Sequence, residues 1–131
     1  MIGLLIVTHC DLGKEFLKAA EFIVGRLDAA EAVSINQISD SQEIRKSIED
    51  KINALDNGQG VLILTDMFGG TPSNLSLSFL KEEMVEVLTG VNLPMVISIA
   101  QHRSEMSLED LAEKAQEAGK MSISLAGKML E

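Results

Sequence analysis

The chain opens with an apolar run, Ile2-Gly3-Leu4-Leu5-Ile6-Val7, that breaks into Thr8-His9-Cys10-Asp11-Leu12-Gly13. A second run, Val61-Leu62-Ile63-Leu64-Thr65, ends in Asp66 and the stretch Met67-Phe68-Gly69-Gly70-Thr71-Pro72-Ser73-Asn74. Continuous apolar runs of strand length, bounded by turn residues, predict strands buried on both faces, as in a parallel sheet. Between them the spacing becomes helical. Phe16, Leu17, Ala20, Ile23, Val24 and Leu27 line one side of a helix expected over Lys14 to Leu27, and Ile44, Ile48, Ile52 and Leu55 form a second stripe. Asp40 followed by Glu43 has the spacing of a capping box at the start of that second helix. Asp56-Asn57-Gly58-Gln59-Gly60 is turn chemistry that ends it. Ala32-Val33-Ser34-Ile35 is a short strand between the two helices.

Thr71 as cap and Pro72 at the first helical position predict a third helix running to about Glu82. Val85-Glu86-Val87-Leu88-Thr89 reads as a fourth strand, closed by Gly90-Val91-Asn92-Leu93-Pro94. Met95 to His102 reads two ways: Val96, Ile97 and Ile99 favour a strand, whereas Pro94 suits a helix start. Ser107 with Asp110 caps a last helix expected to stop near Gly119. Met121, Ile123 and Leu125 then alternate with Lys120, Ser122 and Ser124, as in a half-buried strand. This alternation predicts a doubly wound α/β fold, a mainly parallel four-stranded sheet with helices on both faces. No linker, repeat or low-complexity tract interrupts it, so residues 1–131 are expected to form one domain.

Composition narrows function more than fold. Twenty acidic residues against eleven basic ones give a formal charge of -9, spread along the chain. That balance disfavours nucleic acid, whose binding draws on clustered Lys and Arg. With no Trp or Tyr and four Phe, platforms for base stacking are few. No apolar run approaches the roughly 20 residues of a membrane span, and no basic stretch precedes the first run as a secretory leader requires. One cysteine cannot form an internal disulfide. The expectation is a cytoplasmic protein.

Right-handed crossovers place the carboxyl ends of parallel strands on one rim, where open α/β sheets build their sites. Three loops share that rim: one holding His9, one running from Asp66 to Thr71, and one holding Asn92. A neutral imidazole is nucleophilic near physiological pH. It needs a carboxylate on its other nitrogen to fix the tautomer and steady the charge gained on attack. Asp66 is the candidate partner, because the third strand lies beside the first in the usual winding. Asp11 is nearer in sequence, but capping the first helix accounts for it. Phe68, Gly69, Gly70, Thr71 and Ser73 form a candidate phosphate cradle: glycines let backbone N–H groups approach an anion, two hydroxyls add donors, and a helix start points at the same place. Thr8 and Asn92 are candidate rim contacts. Together these residues suggest phosphoryl transfer through histidine, with no cofactor.

Rival motifs fail. Gly13-Lys14 lacks the flanking residues of a Walker A loop, and no dinucleotide fingerprint follows the first strand. No arginine follows Cys10 to clamp phosphate as in a thiol phosphatase. Cys10 reads as a small semi-buried filler and His102, beside Arg103, as solvated. The two histidines and scattered carboxylates have no metal-ligand spacing, and the seven methionines read as core filling.

From Ile2 to about Gly119 the chain resembles the enzyme IIA components of mannose-type (mannose/fructose/sorbose) bacterial sugar phosphotransferase systems. The resemblance rests on Thr8-His9, on Leu64-Thr65-Asp66-Met67-Phe68-Gly69-Gly70-Thr71-Pro72-Ser73-Asn74, and on Gly90-Val91-Asn92-Leu93-Pro94-Met95. It implies that His9 accepts a phosphoryl group from the phosphohistidine of the carrier HPr and passes it to a histidine of a IIB component. IIB then phosphorylates sugar taken up through membrane IIC and IID subunits, which implies peripheral association with that complex. The resemblance makes Asp66 the partner of the histidine and Pro94 to Gln101 a helix. It further implies a homodimer exchanging a C-terminal strand, antiparallel to the sheet, for which Met121 to Leu125 is the candidate. Cys10 departs from the family's usual small residue, commonly glycine. No IIB domain follows within the sequence, so a separate IIB chain is the expected acceptor.

Two other classes share part of this pattern. A regulatory protein would carry the same phosphorylated His9 but switch a partner by the added charge instead of serving transport. A receiver domain would use Asp66 as phosphoacceptor, but it needs an acidic pair after the first strand, where Thr8-His9-Cys10 stands.

Overall fold

Alternating side-chain direction along the first strand, β1 (Gly3–His9), divides the interior into two cores. Leu4 and Ile6 point to one face of the sheet, Leu5 and Val7 to the other, and all four are fully buried. The computed structural model describes residues 1–131. After β1 come α1 (Leu12–Val24), β2 (Ala30–Ile35), α2 (Ser41–Leu55), β3 (Val61–Thr65), α3 (Thr71–Leu77), β4 (Val85–Thr89), α4 (Leu93–His102), α5 (Leu108–Met121) and α6 (Ala126–Met129). The strands lie in the order β2-β1-β3-β4, every neighbouring pair parallel.

Leu4, Ile6, Leu62 and Leu64 meet Ala20 of α1, Val96 and Ile99 of α4, and Leu111 and Ala115 of α5. On the other face Leu5, Val7 and Ile63 meet Ile48, Ile52 and Leu55 of α2, with Leu75 and Phe79 packed alongside. Each such branched side chain taken from water contributes about 2 kcal/mol. The expected doubly wound α/β architecture is therefore present, with helices on both faces. The segment that read two ways is helical: Asn92 accepts the Met95 N–H at 3.0 Å and Pro94 sits in the first turn of α4. The helical face toward the core outweighs the strand preference of the β-branched residues.

Several boundaries differ from the sequence reading. α1 starts at Leu12 and ends at Val24, where Gly25 takes a φ of 91°. The capping box of α2 is half formed: Asp40 Oδ1 accepts the Gln42 N–H at 2.9 Å, without a reciprocal bond from Glu43. α3 begins at Thr71 with Gly70 in the cap position and stops at Leu77, well short of Glu82. There Ser78 Oγ donates to the Leu75 carbonyl at 2.6 Å and Glu83 takes a φ of 66°, which turns the chain into β4.

Gly119 does not end the last long helix. It lies inside α5 because a Cβ there would meet Met95 Cε at 2.8 Å, and its carbonyl accepts from Asn92 Nδ2 at 3.0 Å. α5 approaches the start of α4 closely there, and a side chain at 119 would need the end of Met95 to move aside. The antiparallel C-terminal strand expected at Met121 to Leu125 does not form within this chain. Met121 closes α5, α6 follows, and Met121, Ile123 and Leu125 stay exposed with no strand beside them. The chain leaves α5 through local bonds instead, Ser122 Oγ donating to the Ala118 carbonyl at 2.6 Å and the Ile123 N–H to the Lys120 carbonyl at 3.4 Å.

At the amino end of the sheet, Arg103 is buried. Its Nε donates to the Ile2 carbonyl at 3.0 Å, Nη1 to the Asp28 carbonyl at 2.6 Å, and Nη2 to the Ala29 carbonyl. One guanidinium thus ties the end of α4 to β1 and to the turn before β2. No helix is long and apolar enough to cross a membrane.

Candidate functional site

β1 and β3 are neighbours in register, Val7 opposite Thr65, so the two strands release His9 and Asp66 beside each other at the carboxyl edge. Asp66 Oδ2 accepts twice from the same residue: from the His9 backbone N–H at 3.0 Å and from ring Nδ1 at 2.8 Å. A carboxylate can only accept, so Nδ1 carries a proton, and in the neutral imidazole the lone pair is on Nε2. The His9 side chain is 45% exposed and that of Asp66 only 13%. The ring is therefore half open to solvent while its orienting group is held inside.

Partial burial pushes the Asp66 carboxyl upward, but the His9 backbone N–H, then the His9 ring and its charge, outweigh it. The net position lies below the ordinary value of 3.8, and Asp66 is an anion at neutral pH. The Met67 N–H adds a further bond to Oδ1 at 3.1 Å.

The loop after Asp66 is open. Met67, Phe68 and Gly69 are exposed, and Gly69 takes a φ of 90°, a conformation that suits glycine. The N–H groups of Phe68, Gly69 and Gly70 donate to no acceptor in the protein. Thr71 is exposed at the start of α3. Ser73 is fully buried, and its hydroxyl has no hydrogen-bond partner. The structure thus brings His9, Asp66 and Gly70 together, sets Phe68, Gly69 and Thr71 around them at the surface, and places Ser73 inside.

The two remaining candidates have structural bonds. Thr8 is fully buried; its Oγ1 accepts the Gly13 N–H at 2.9 Å and donates to the Cys10 carbonyl at 3.3 Å. Asn92 caps α4 and holds Gly119. Asp11 occupies the cap position of α1 but makes no side-chain cap bond; Thr8 binds the first turn in its place. Cys10 is exposed, with a φ of 50°, and its N–H donates to the Ile35 carbonyl at 2.7 Å. Sequence reasoning missed the contact of Gly70 with His9, for a paired glycine reads equally well as turn or cradle.

A surface cavity of about 820 Å³ lies away from His9, between Gln59, Leu80, Glu83, Val85, Met106 and Leu108. It opens beside the first residues of β3 and β4, opposite the rim that bears His9. No three His, Cys, Asp or Glu residues are grouped to hold a metal ion.

Comparison with known proteins adds an independent line. A family model described as EIIA-man, PTS system fructose IIA component, matches residues 3–116. The sorbose-specific EIIA component of the phosphotransferase system (PTS) of Lacticaseibacillus casei is 31% identical, covering 96% of this chain and 92% of that protein. The mannose-specific EIIAB component of Escherichia coli K12 is 29% identical over 93% of this chain, a match spanning 38% of the longer protein. The crystal structure of the phosphotransferase system component EIIA from Streptococcus agalactiae has the same fold, with a TM-score of 0.89, 24% identity, and coverage of 98% of this chain and 99% of that one.

Proposed function

The chain belongs to the EIIA-man family, that of the PTS fructose IIA component, and from that premise we propose that His9 carries phosphoryl groups for sugar uptake. The observation that carries this reading is the 2.8 Å bond from His9 Nδ1 to Asp66, which in the neutral imidazole puts the lone pair on Nε2 of a half-exposed ring. Nε2 attacks the phosphorus of phosphorylated HPr in line. The new N–P bond forms as the bond to the donor histidine breaks, and the donor imidazole leaves with its electron pair. Asp66 stabilises the charge gained by the His9 ring, and the step asks for little beyond positioning and electrostatics. The free N–H groups of Phe68, Gly69 and Gly70, with the Thr71 hydroxyl, hold the phosphoryl oxygens. The reverse of this step delivers the group to a histidine of a IIB component.

A histidine on an open rim, away from the large cavity, suits donors and acceptors that are themselves proteins. The 131 residues act as one cytoplasmic IIA unit that meets the membrane IIC and IID subunits only peripherally. The unit is a homodimer: beyond Val85, which bridges Lys81, the outer edge of β4 has no strand beside it, and Met121, Ile123 and Leu125 are exposed and alternate as an exchanged strand would.

Transfer from labelled phospho-HPr to wild type and to His9→Ala tests the carrier role. Wild type is expected to take up label that is acid-labile and alkali-stable, and His9→Ala none, with its melting temperature little changed because a rim residue adds little core packing. Label on His9→Ala, or none on either protein, overturns the reading.

A further inference from the structure

The two glycines of the loop stand for different physical reasons. Gly69 has a φ of 90° and open space around it, so its conformation calls for glycine. Gly70 has a φ of -88° and a ψ of 172°, extended backbone open to any residue. What a side chain there would meet is His9: a Cβ would lie 2.9 Å from ring Cε1 and 3.3 Å from Nε2, and 3.7 Å from Met67 Cγ. The first distance is shorter than carbon atoms tolerate. Either the ring or the loop must move.

We infer that Gly70 is a positioning residue for the reacting nitrogen, its bare Cα serving as the wall against which the Cε1–Nε2 edge of His9 rests. Asp66 holds the ring by a hydrogen bond at Nδ1 and Gly70 limits it by contact at the neighbouring Cε1 and Nε2, so the ring is held at two successive positions. The same missing methyl leaves room beside Nε2 for the incoming group. A side chain at 70 pushes the ring against its bond to Asp66, loosens the Nδ1–H tautomer and turns Nε2 from the line of transfer. This role rests on His9 being the phosphoacceptor, but the wall itself is a property of the unphosphorylated protein.

Gly70→Ala in the full chain separates the two. Its backbone conformation is open to alanine, so the melting temperature is expected to stay near wild type. Nitrogen-15 spectra of the His9 ring, recorded without phosphorylation, should show the wild type as the Nδ1–H tautomer and the variant shifted toward Nε2–H. Transfer from phospho-HPr should slow roughly tenfold to a hundredfold in kcat, with KM for HPr unchanged. A purely structural loop role would move neither the tautomer nor kcat alone. Should the variant not fold, the wild type still decides: a strong nuclear Overhauser effect between Gly70 Hα and His9 Hε1 is expected, and its absence overturns the wall. Unchanged ring spectra and kcat in a folded variant overturn it too. Failure of the wild type to accept label sinks the carrier reading alone, while ring tautomer and Overhauser effect continue to decide for Gly70.

Discussion

Asp66 accepts from the backbone and the ring of His9 through one oxygen, so removing its charge and removing its geometry are separable experiments. Asp66→Asn keeps an acceptor near Nδ1 but no longer counters the positive charge the ring gains on attack. Transfer from phospho-HPr is expected to slow about a hundredfold while His9 still takes up label. An unchanged rate would make Asp66 a turn residue only. The same substitution has a pH signature. The Asp66 carboxyl sits below 3.8 in the folded protein, so its ionised form is favoured by folding. That stabilisation is full above the unfolded value and disappears as pH falls through the folded one. Denaturant melts should therefore find wild type more stable than Asp66→Asn at neutral pH, with the gap closing once pH drops below about 4. His9 and Asp66 were legible in the sequence because each ends an apolar run, and adjacent parallel strands release such ends together. Gly70 was not: a glycine leaves no trace in sequence of the side chain it makes room for.

At the scale of elements, periodicity exposes faces and conceals ends. The stripes of α1 and α2 and the apolar runs of β1 and β3 were readable because they report burial, although Ile23 and Val24 at the end of the α1 stripe stay exposed. Helix ends depend on single bonds between residues far apart or of ambiguous type. Asp11 has the right chemistry for a cap, yet the first turn of α1 is bound from inside the sheet by Thr8. Thr8→Val would leave the Gly13 N–H buried without an acceptor and is expected to cost about 2 kcal/mol, whereas Asp11→Ala, at an exposed position, should be nearly neutral. Chemical denaturation of both variants checks the order; equal losses would mean that Asp11 caps after all. Gly119 carried the opposite lesson. Its glycine signalled a helix end, but what it provides is the close seat of α5 against Asn92 and Met95, an interhelical fact with no local signature.

Across the whole molecule, the parallel sheet follows from the alternation of strands and helices, and both covered faces follow from the continuously apolar strands, whereas the full order β2-β1-β3-β4 is visible only in the fold. Arg103 escaped notice because, in sequence, it is one basic residue in a polar stretch. In the fold, burial lowers its pKa from the ordinary guanidinium value, the charge of Asp28 opposes that shift, and it remains a cation under physiological conditions. It joins three segments at the amino end of the sheet, remote from His9. Arg103→Met should lower unfolding free energy by about 2 kcal/mol by leaving carbonyls unpaired, and leave the rate of transfer from HPr unchanged under conditions where the variant is folded. A matching loss of rate would show that the two ends of the sheet are coupled.

The pairing of Val7 with Thr65 has one more consequence. Sliding β1 by a single residue against β3 would move His9 about 3.3 Å along the strand. It would also send each inward side chain to the opposite core. The alignment that sets His9 on Asp66 is thus the alignment that sorts Leu4 and Ile6 from Leu5 and Val7. A chain that mispaired its central strands would lose the contact between His9 and Asp66 together with its sorted core, so the paired histidine is a local reporter of correct strand register.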